Sequence, residues 1–165
     1  MSSFKSTAAS QGDTLLLTFE GSIDEDVQFP QIDAALKSMK IDLGKISSIN
    51  SVGIREWLDW IKPLSERLSI VLENCPKSMV LQFNMVEGFL PAKATVTSFQ
   101  VPYFCDKCDI EKNILFTLGK DISVEGGNVK VALNPQAAVG CKEAECEVEM
   151  DVTPAKYFRF LLLAK

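Results

Sequence analysis

Residues 14–101 alternate short apolar runs with stretches of helical periodicity, and this alternation constrains the fold more than any other feature. Apolar runs with the length of strands occur at 14–19, 41–46, 68–72 and 94–101. Apolar residues spaced three or four positions apart predict amphipathic helices at 29–39, 54–64 and 79–86. Right-handed crossover connections place such helices together on one face of a sheet, so the pattern predicts an α/β layer.

The pattern changes after residue 101. Short alternating segments at 113–118, 122–125 and 128–133 are separated by glycine-containing turns, which is typical of β-hairpins. A final apolar segment begins with Thr153 and Pro154, which suit the cap and first turn of a docking helix. The sequence therefore predicts a first domain at 1–101, with its core at about 14–101, and a small β-rich module at 102–165.

The composition excludes several classes of enzyme. The chain contains no histidine, which removes the Ser-His-Asp and Cys-His nucleophile arrangements and every histidine metal site. It also lacks the glycine-rich motifs that bind nucleotide phosphates. We therefore predict a protein that is not an enzyme. The formal net charge of -5 makes nucleic acid and anionic membranes unfavourable partners.

The start of the chain and the absence of long apolar runs predict a cytoplasmic location. No run of about 18 apolar residues could span a bilayer, and the first ten residues lack the apolar segment of a secretory signal. Cytosolic thiols are normally reduced, so closely spaced cysteine pairs in such a protein indicate a metal before a disulfide.

Two cysteine pairs predict a zinc-ribbon-like site. Cys105 and Cys108 form a C-x2-C pair, and Cys141 and Cys146 form a C-x4-C pair. Tetrahedral zinc accepts four thiolates at about 2.3 Å, which would make a bound zinc ion structural. Reduced cysteines packed without metal are the main alternative, and disulfides are the least favoured one. The remaining cysteine, Cys75, is predicted to be packed and unreactive.

A motif at the predicted start of the second helix resembles the STAS family of anti-sigma factor antagonists. In that family a strand is followed by a hydrophobic residue, Asp, Ser, Ser or Thr, and Gly, which open a helix. Those places hold Ile49, Asn50, Ser51, Val52 and Gly53 here. The resemblance covers about residues 14–101 and implies a mixed β-sheet with helices packed on one face. It also implies bacterial-type signalling or transcriptional regulation through a protein partner, such as an anti-sigma factor or a kinase-like regulator.

The resemblance further implies that a partner kinase phosphorylates Ser51 and that the phosphate releases the bound partner. Asn50 replaces the family aspartate and Val52 replaces the second hydroxyl residue. The start of a helix stabilises an anion through its free N–H groups and its dipole, so a phosphate would be tolerated there. The alternative is that Asn50 and Ser51 only cap the helix, and that the zinc-ribbon-like module is the interface of a scaffolding or regulatory protein.

The same motif and an acidic loop give the predicted partner-binding residues. These are Asp24, Glu25, Asp26, Asn50, Ser51 and Gly53. In STAS-like folds the region of the acidic loop lies near the phosphorylatable serine, although a solvated turn is an open alternative for it. Trp57 continues the apolar stripe of the predicted second helix and is expected in the core. Trp60 falls off that stripe, so its exposure would mark a contact patch.

Overall fold

A polar strand that the apolar pattern did not predict begins the fold. The computed structural model describes residues 3–141 and 146–163. Strand β1 (Lys5–Gln11) is exposed along its whole length and pairs antiparallel with β2 (Thr14–Ile23). The tight turn between them uses Gly12 at a φ of 59°, a left-handed conformation that favours glycine. Backbone pairing with β2, and not apolar burial, holds β1 in place.

A mixed five-stranded sheet forms the centre of the first part, with the order β1-β2-β3-β4-β5. Strands β3 (Ser38–Ile49), β4 (Ser69–Glu73) and β5 (Thr95–Val96) continue it in parallel with β2. Helix α1 (Ser51–Arg67) joins β3 to β4, and α2 (Lys77–Met85) lies between β4 and β5. Helices and a mixed sheet occur together in this part of the chain, so the predicted α/β class is confirmed.

The helix predicted at 29–39 is wrong, because this segment, which the structure describes throughout, contains no helix. Its backbone carbonyls bond to side chains of α1 instead. Trp60 Nε1 donates to the carbonyl of Pro30 at 2.9 Å, and the Arg67 guanidinium donates to that of Ile32 at 3.2 Å. Several apolar residues of the segment pack against the core without helical geometry. The apolar spacing therefore reflects coverage of α1 and not a helical stripe.

The second part is built from antiparallel strands and short helices. Strands β6 (Ser98–Cys105), β7 (Ile110–Thr117) and β10 (Val148–Met150) form a sheet in the order β10-β6-β7. Strands β8 (Ile122–Glu125) and β9 (Asn128–Val131) form a hairpin. The short helices are α3 (Pro135–Val139), α4 (Pro154–Tyr157) and α5 (Arg159–Leu163). Among the described residues, no helix combines the length and apolar composition needed to cross a bilayer.

One continuous core runs through both parts of the chain. Strand β6 crosses position 101, where the sequence pattern changes. A series of aromatic ring contacts then links α1 to β7: Trp57–Phe89 at 5.4 Å, Phe89–Phe83 at 5.8 Å, Phe83–Phe160 at 5.6 Å, Phe160–Phe99 at 5.1 Å and Phe99–Phe116 at 6.1 Å. The two sheets are therefore packed through shared aromatic side chains.

The side chain of Asn84 in α2 makes two hydrogen bonds to the backbone of the C-terminal helices. Its Nδ2 donates to the carbonyl of Tyr157 at 2.9 Å, and its Oδ1 accepts from the amide of Phe160 at 2.9 Å. We expect Asn84→Ala to lower the free energy of unfolding by about 2 kcal/mol, because both backbone groups lose their partner in a partly buried site. Urea denaturation measures this. The control Gln82→Ala changes a neighbouring side chain of α2 and should leave the midpoint in place; equal midpoints for both variants would contradict the prediction.

Candidate functional site

In the first turn of α1, one residue caps the helix and a different residue carries the exposed hydroxyl. Asn50 is the N-cap, and its Oδ1 accepts a hydrogen bond from the Gly53 amide at 2.8 Å. Ser51 is the first residue of the helix and is exposed. Within residues 3–141 and 146–163, the Ser51 hydroxyl makes no hydrogen bond. The cap is therefore Asn50 alone, and Ser51 offers an accessible hydroxyl in the first turn of the helix.

The acidic loop contacts this turn through Glu25. Asn50 Nδ2 donates to Glu25 Oε2 at 2.9 Å across 25 positions of sequence. A backbone amide bond and then the bond from Asn50 lower the pKa of the Glu25 carboxyl, so it stays ionised. Asp24 accepts from the Asp26 amide at 3.0 Å and shapes the turn. The structure thus brings the acidic loop beside Asn50, next to Ser51.

Close packing between α1 and the end of β2 requires glycine at position 53. It is buried, and a Cβ atom there would lie 2.0 Å from the Ile23 carbonyl oxygen. The same oxygen accepts from the Asn50 amide at 3.2 Å, so it is held in position. Gly53 allows this close approach and does not contribute to the exposed surface around Ser51.

The two tryptophans of α1 are both packed. Trp57 is fully buried, as predicted, and its Nε1 donates to the Phe89 carbonyl at 2.8 Å. Trp60 is half-buried and stacks on Phe29 with ring centroids 4.8 Å apart. Because the segment before β3 covers Trp60, this side chain does not form an exposed contact patch.

The four paired cysteines form the second candidate site. The Sγ atoms of Cys105, Cys108, Cys141 and Cys146 all lie within 4.8 Å of one another. The Cys108 and Cys146 sulfurs are 3.2 Å apart. Four thiolates around tetrahedral zinc lie roughly 3.8 Å apart when each bond is about 2.3 Å, so small side-chain shifts suffice to reach that geometry. The prediction that the two pairs meet is confirmed, and the cluster can hold a metal ion.

Local backbone features bring the two cysteine pairs together. Cys105 ends β6, and the turn that carries Cys108 closes at Asp109 with a φ of 51°. Aspartate tolerates this left-handed conformation better than most residues. Helix α3 precedes Cys141, and Gln136 from α3 donates a side-chain hydrogen bond to the Cys146 carbonyl. The apolar pattern of the sequence does not predict α3, although Asn134 followed by proline and Gly140 mark its ends.

The thiols of this cluster influence one another's protonation. The backbone amide of Cys108 is the main cause that lowers the pKa of Cys105. A hydrogen bond with the Cys108 thiol and then burial raise the pKa of Cys146 to about 11. Adjacent thiolates repel each other, so a bound cation is needed to keep the whole set deprotonated. Cys75 lies apart from this cluster and is fully buried, and burial raises its pKa, which fits an inert packed thiol.

Comparison with known proteins assigns neither site. No protein-family model matches this sequence, and no curated protein matches it. The resemblance to the STAS family therefore stays a prediction. It is carried by the motif at 49–53 and by the strand and helix on either side of that motif.

Proposed function

We propose that this chain is a STAS-like, non-enzymatic protein-interaction module that docks a regulatory partner at the start of α1 and is switched by phosphorylation of Ser51. The exposure of Ser51 beside the separate cap Asn50 is the observation that carries this proposal. A kinase requires an accessible hydroxyl, and the cap leaves this one available. A cytoplasmic location and an anti-sigma factor or kinase-like partner follow from the same proposal.

A phosphate on Ser51 would change the surface strongly. The first turn of the 17-residue helix α1 contains no acidic side chain, so the positive end of its dipole is uncompensated within the helix. Phosphorylation adds about -1.5 to -2 charge and strong hydrogen-bond acceptors. The ionised Glu25 carboxylate, held by Asn50 at 2.9 Å, would be repelled by that charge. The switch therefore acts on the partner and on the acidic loop together.

Mass-spectrometric mapping of the protein isolated from its own cells tests the modification. Cleavage after Lys45 and Arg55 gives a peptide of residues 46–55, which contains Ser47, Ser48 and Ser51. We expect fragment ions to place a phosphate on Ser51. Ser47 is the matched control, because it is also exposed but its hydroxyl lies 3.3 Å from that of Ser22. A phosphate on Ser47 or Ser48 with Ser51 unmodified would contradict the proposal.

We further propose that the cysteine cluster holds a structural zinc ion. Cys105, Cys108, Cys141 and Cys146 supply four sulfur donors whose mutual separations suit one tetrahedral ion. Four protein ligands leave no open position for a substrate, so the metal would cross-link the chain without supplying catalysis. This role fits the chemistry of an interaction module.

A second candidate function is a scaffolding protein whose zinc-ribbon-like module is the interface. Exposed apolar side chains favour it, because five of the seven large ones found in the described residues lie in the second part: Leu115, Leu118, Val124, Val131 and Leu162. Nucleic acid is disfavoured as its partner, since Glu147, Glu149 and Asp151 are exposed near the second cysteine pair. Under this alternative, Cys105→Ser abolishes partner capture and Ser51→Glu does not.

A further inference from the structure

An apolar stripe on α2 remains exposed, and neither proposed site uses it. Leu81 is 36% exposed and Met85 is 76% exposed. Both follow Lys77 at four-residue steps, so the three side chains share one face of the helix. The opposite face of α2 is buried in the core. The exposed face and the segment 152–157 line a groove of about 410 Å³, here called the α2 groove.

The walls of the α2 groove are fixed to each other. One wall is helix α2 and the other is the start of the C-terminal segment. Asn84 bonds to the Tyr157 carbonyl and the Phe160 amide, both at 2.9 Å, and therefore joins the two walls. Because the walls are already held together, binding does not have to include the entropic cost of ordering them.

The charge around the α2 groove is opposite to that of the whole chain. Its lining includes Lys77 and Lys156 and, in the part of the chain that the structure describes, no acidic residue. Neither lysine forms a salt bridge with any described residue. The chain as a whole carries a formal net charge of -5. Two unpaired lysines beside exposed apolar side chains therefore complement a segment that is both acidic and apolar.

We propose that the α2 groove binds an acidic amphipathic helix of a partner protein. Apolar side chains of that helix would pack on Leu81 and Met85, and its carboxylates would pair with Lys77 and Lys156. This is the helix-in-groove mode of recognition, in which a flexible methionine adapts to the bound side chains. The proposal goes beyond docking at Ser51, because other elements form this groove.

A designed peptide tests the proposal with the full-length protein. The probe is a labelled amphipathic helix with leucine along one face and glutamate elsewhere, and its matched control carries lysine in place of glutamate. Fluorescence anisotropy should show saturable binding of the glutamate peptide only. The double variant Lys77→Glu, Lys156→Glu and the single variant Met85→Ser should each weaken binding by about tenfold or more. Lys62→Glu, which changes an exposed lysine of α1, should leave it unchanged.

Several results would overturn the proposal. These are no binding at millimolar peptide, equal binding of both peptides, or unchanged affinity in the groove variants. A dimer in sedimentation velocity that Met85→Ser dissociates would show that a second copy covers the groove instead. Ser51→Glu should bind the glutamate peptide as the wild type does, so a failure of the groove and a failure of the Ser51 switch are separate outcomes.

Discussion

Replacing Cys105 with serine is expected to remove the bound metal and to destabilise the backbone structure around the cysteine cluster. Wild-type protein should contain about one zinc ion per chain, and Cys105→Ser should contain almost none. The metal would join the β6–β7 turn to the chain before β10, a strand of only three residues. Since zinc binding contributes on the order of 10 kcal/mol in small structural sites, β10 and α3 should lose protection against hydrogen exchange. Elemental analysis and hydrogen exchange measure the two effects.

The remaining cysteine provides the control for this experiment. Cys75 is buried away from the cluster, so Cys75→Ala should keep its zinc even where it lowers stability. The five-stranded sheet should stay protected in Cys105→Ser, because its core is formed by α1, α2 and the aromatic side chains between them. Wild-type protein that contains no metal after purification with zinc would contradict the proposed centre. So would unchanged zinc content in Cys105→Ser.

The substitution Gly53→Ala is expected to lower the free energy of unfolding by about 3 kcal/mol. The new Cβ would lie 2.0 Å from the Ile23 carbonyl oxygen and 2.5 Å from its carbonyl carbon. These are backbone atoms, and the oxygen also accepts from the Asn50 amide at 3.2 Å. Relief of the clash must therefore move the start of α1 away from β2 and disturb its cap. Urea denaturation followed by tryptophan fluorescence measures the loss.

An exposed position on the same helix controls for the alanine itself. Glu56→Ala changes a solvated side chain of α1 and should stay within about 0.5 kcal/mol of the wild type. If Gly53→Ala and Glu56→Ala had the same free energy of unfolding, α1 would not pack closely enough against β2 to exclude a Cβ atom at position 53. A large loss for Gly53→Ala alone would support a packing role for the motif glycine.

Apolar burial explains which elements could be predicted from sequence. The strands at 14–19, 41–46 and 68–72 fall within β2, β3 and β4 almost completely, because their apolar runs face the core. Strand β1 was missed because all of its residues are exposed and backbone pairing alone defines it. The segment at 29–39 was predicted wrongly because a covering segment can have the same apolar spacing as a helix. Its carbonyls bond to Trp60 and Arg67 of α1, which no local pattern indicates.

In the candidate sites, too, features set by a local sequence pattern could be predicted, and contacts between residues distant in sequence could not. Sequence spacing identified the cysteine pairs because metal-ligating chemistry is carried by the residue type itself. The contact between Asn50 and Glu25 spans 25 positions, and only the parallel pairing of β2 with β3 brings their ends together. The role of Gly53 also depends on a distant atom, the carbonyl oxygen of Ile23. A motif can therefore show that glycine is present without showing what it contacts.

Capture of partners from the source cells tests the central claim most directly. Wild type, Ser51→Ala and Ser51→Glu serve as baits, and mass spectrometry identifies what each retains. We expect a regulatory protein on the wild type and on Ser51→Ala that is lost with Ser51→Glu, because only the last substitution introduces charge at the start of α1. Retention of the same partners in equal amounts by all three baits would contradict a switch at Ser51.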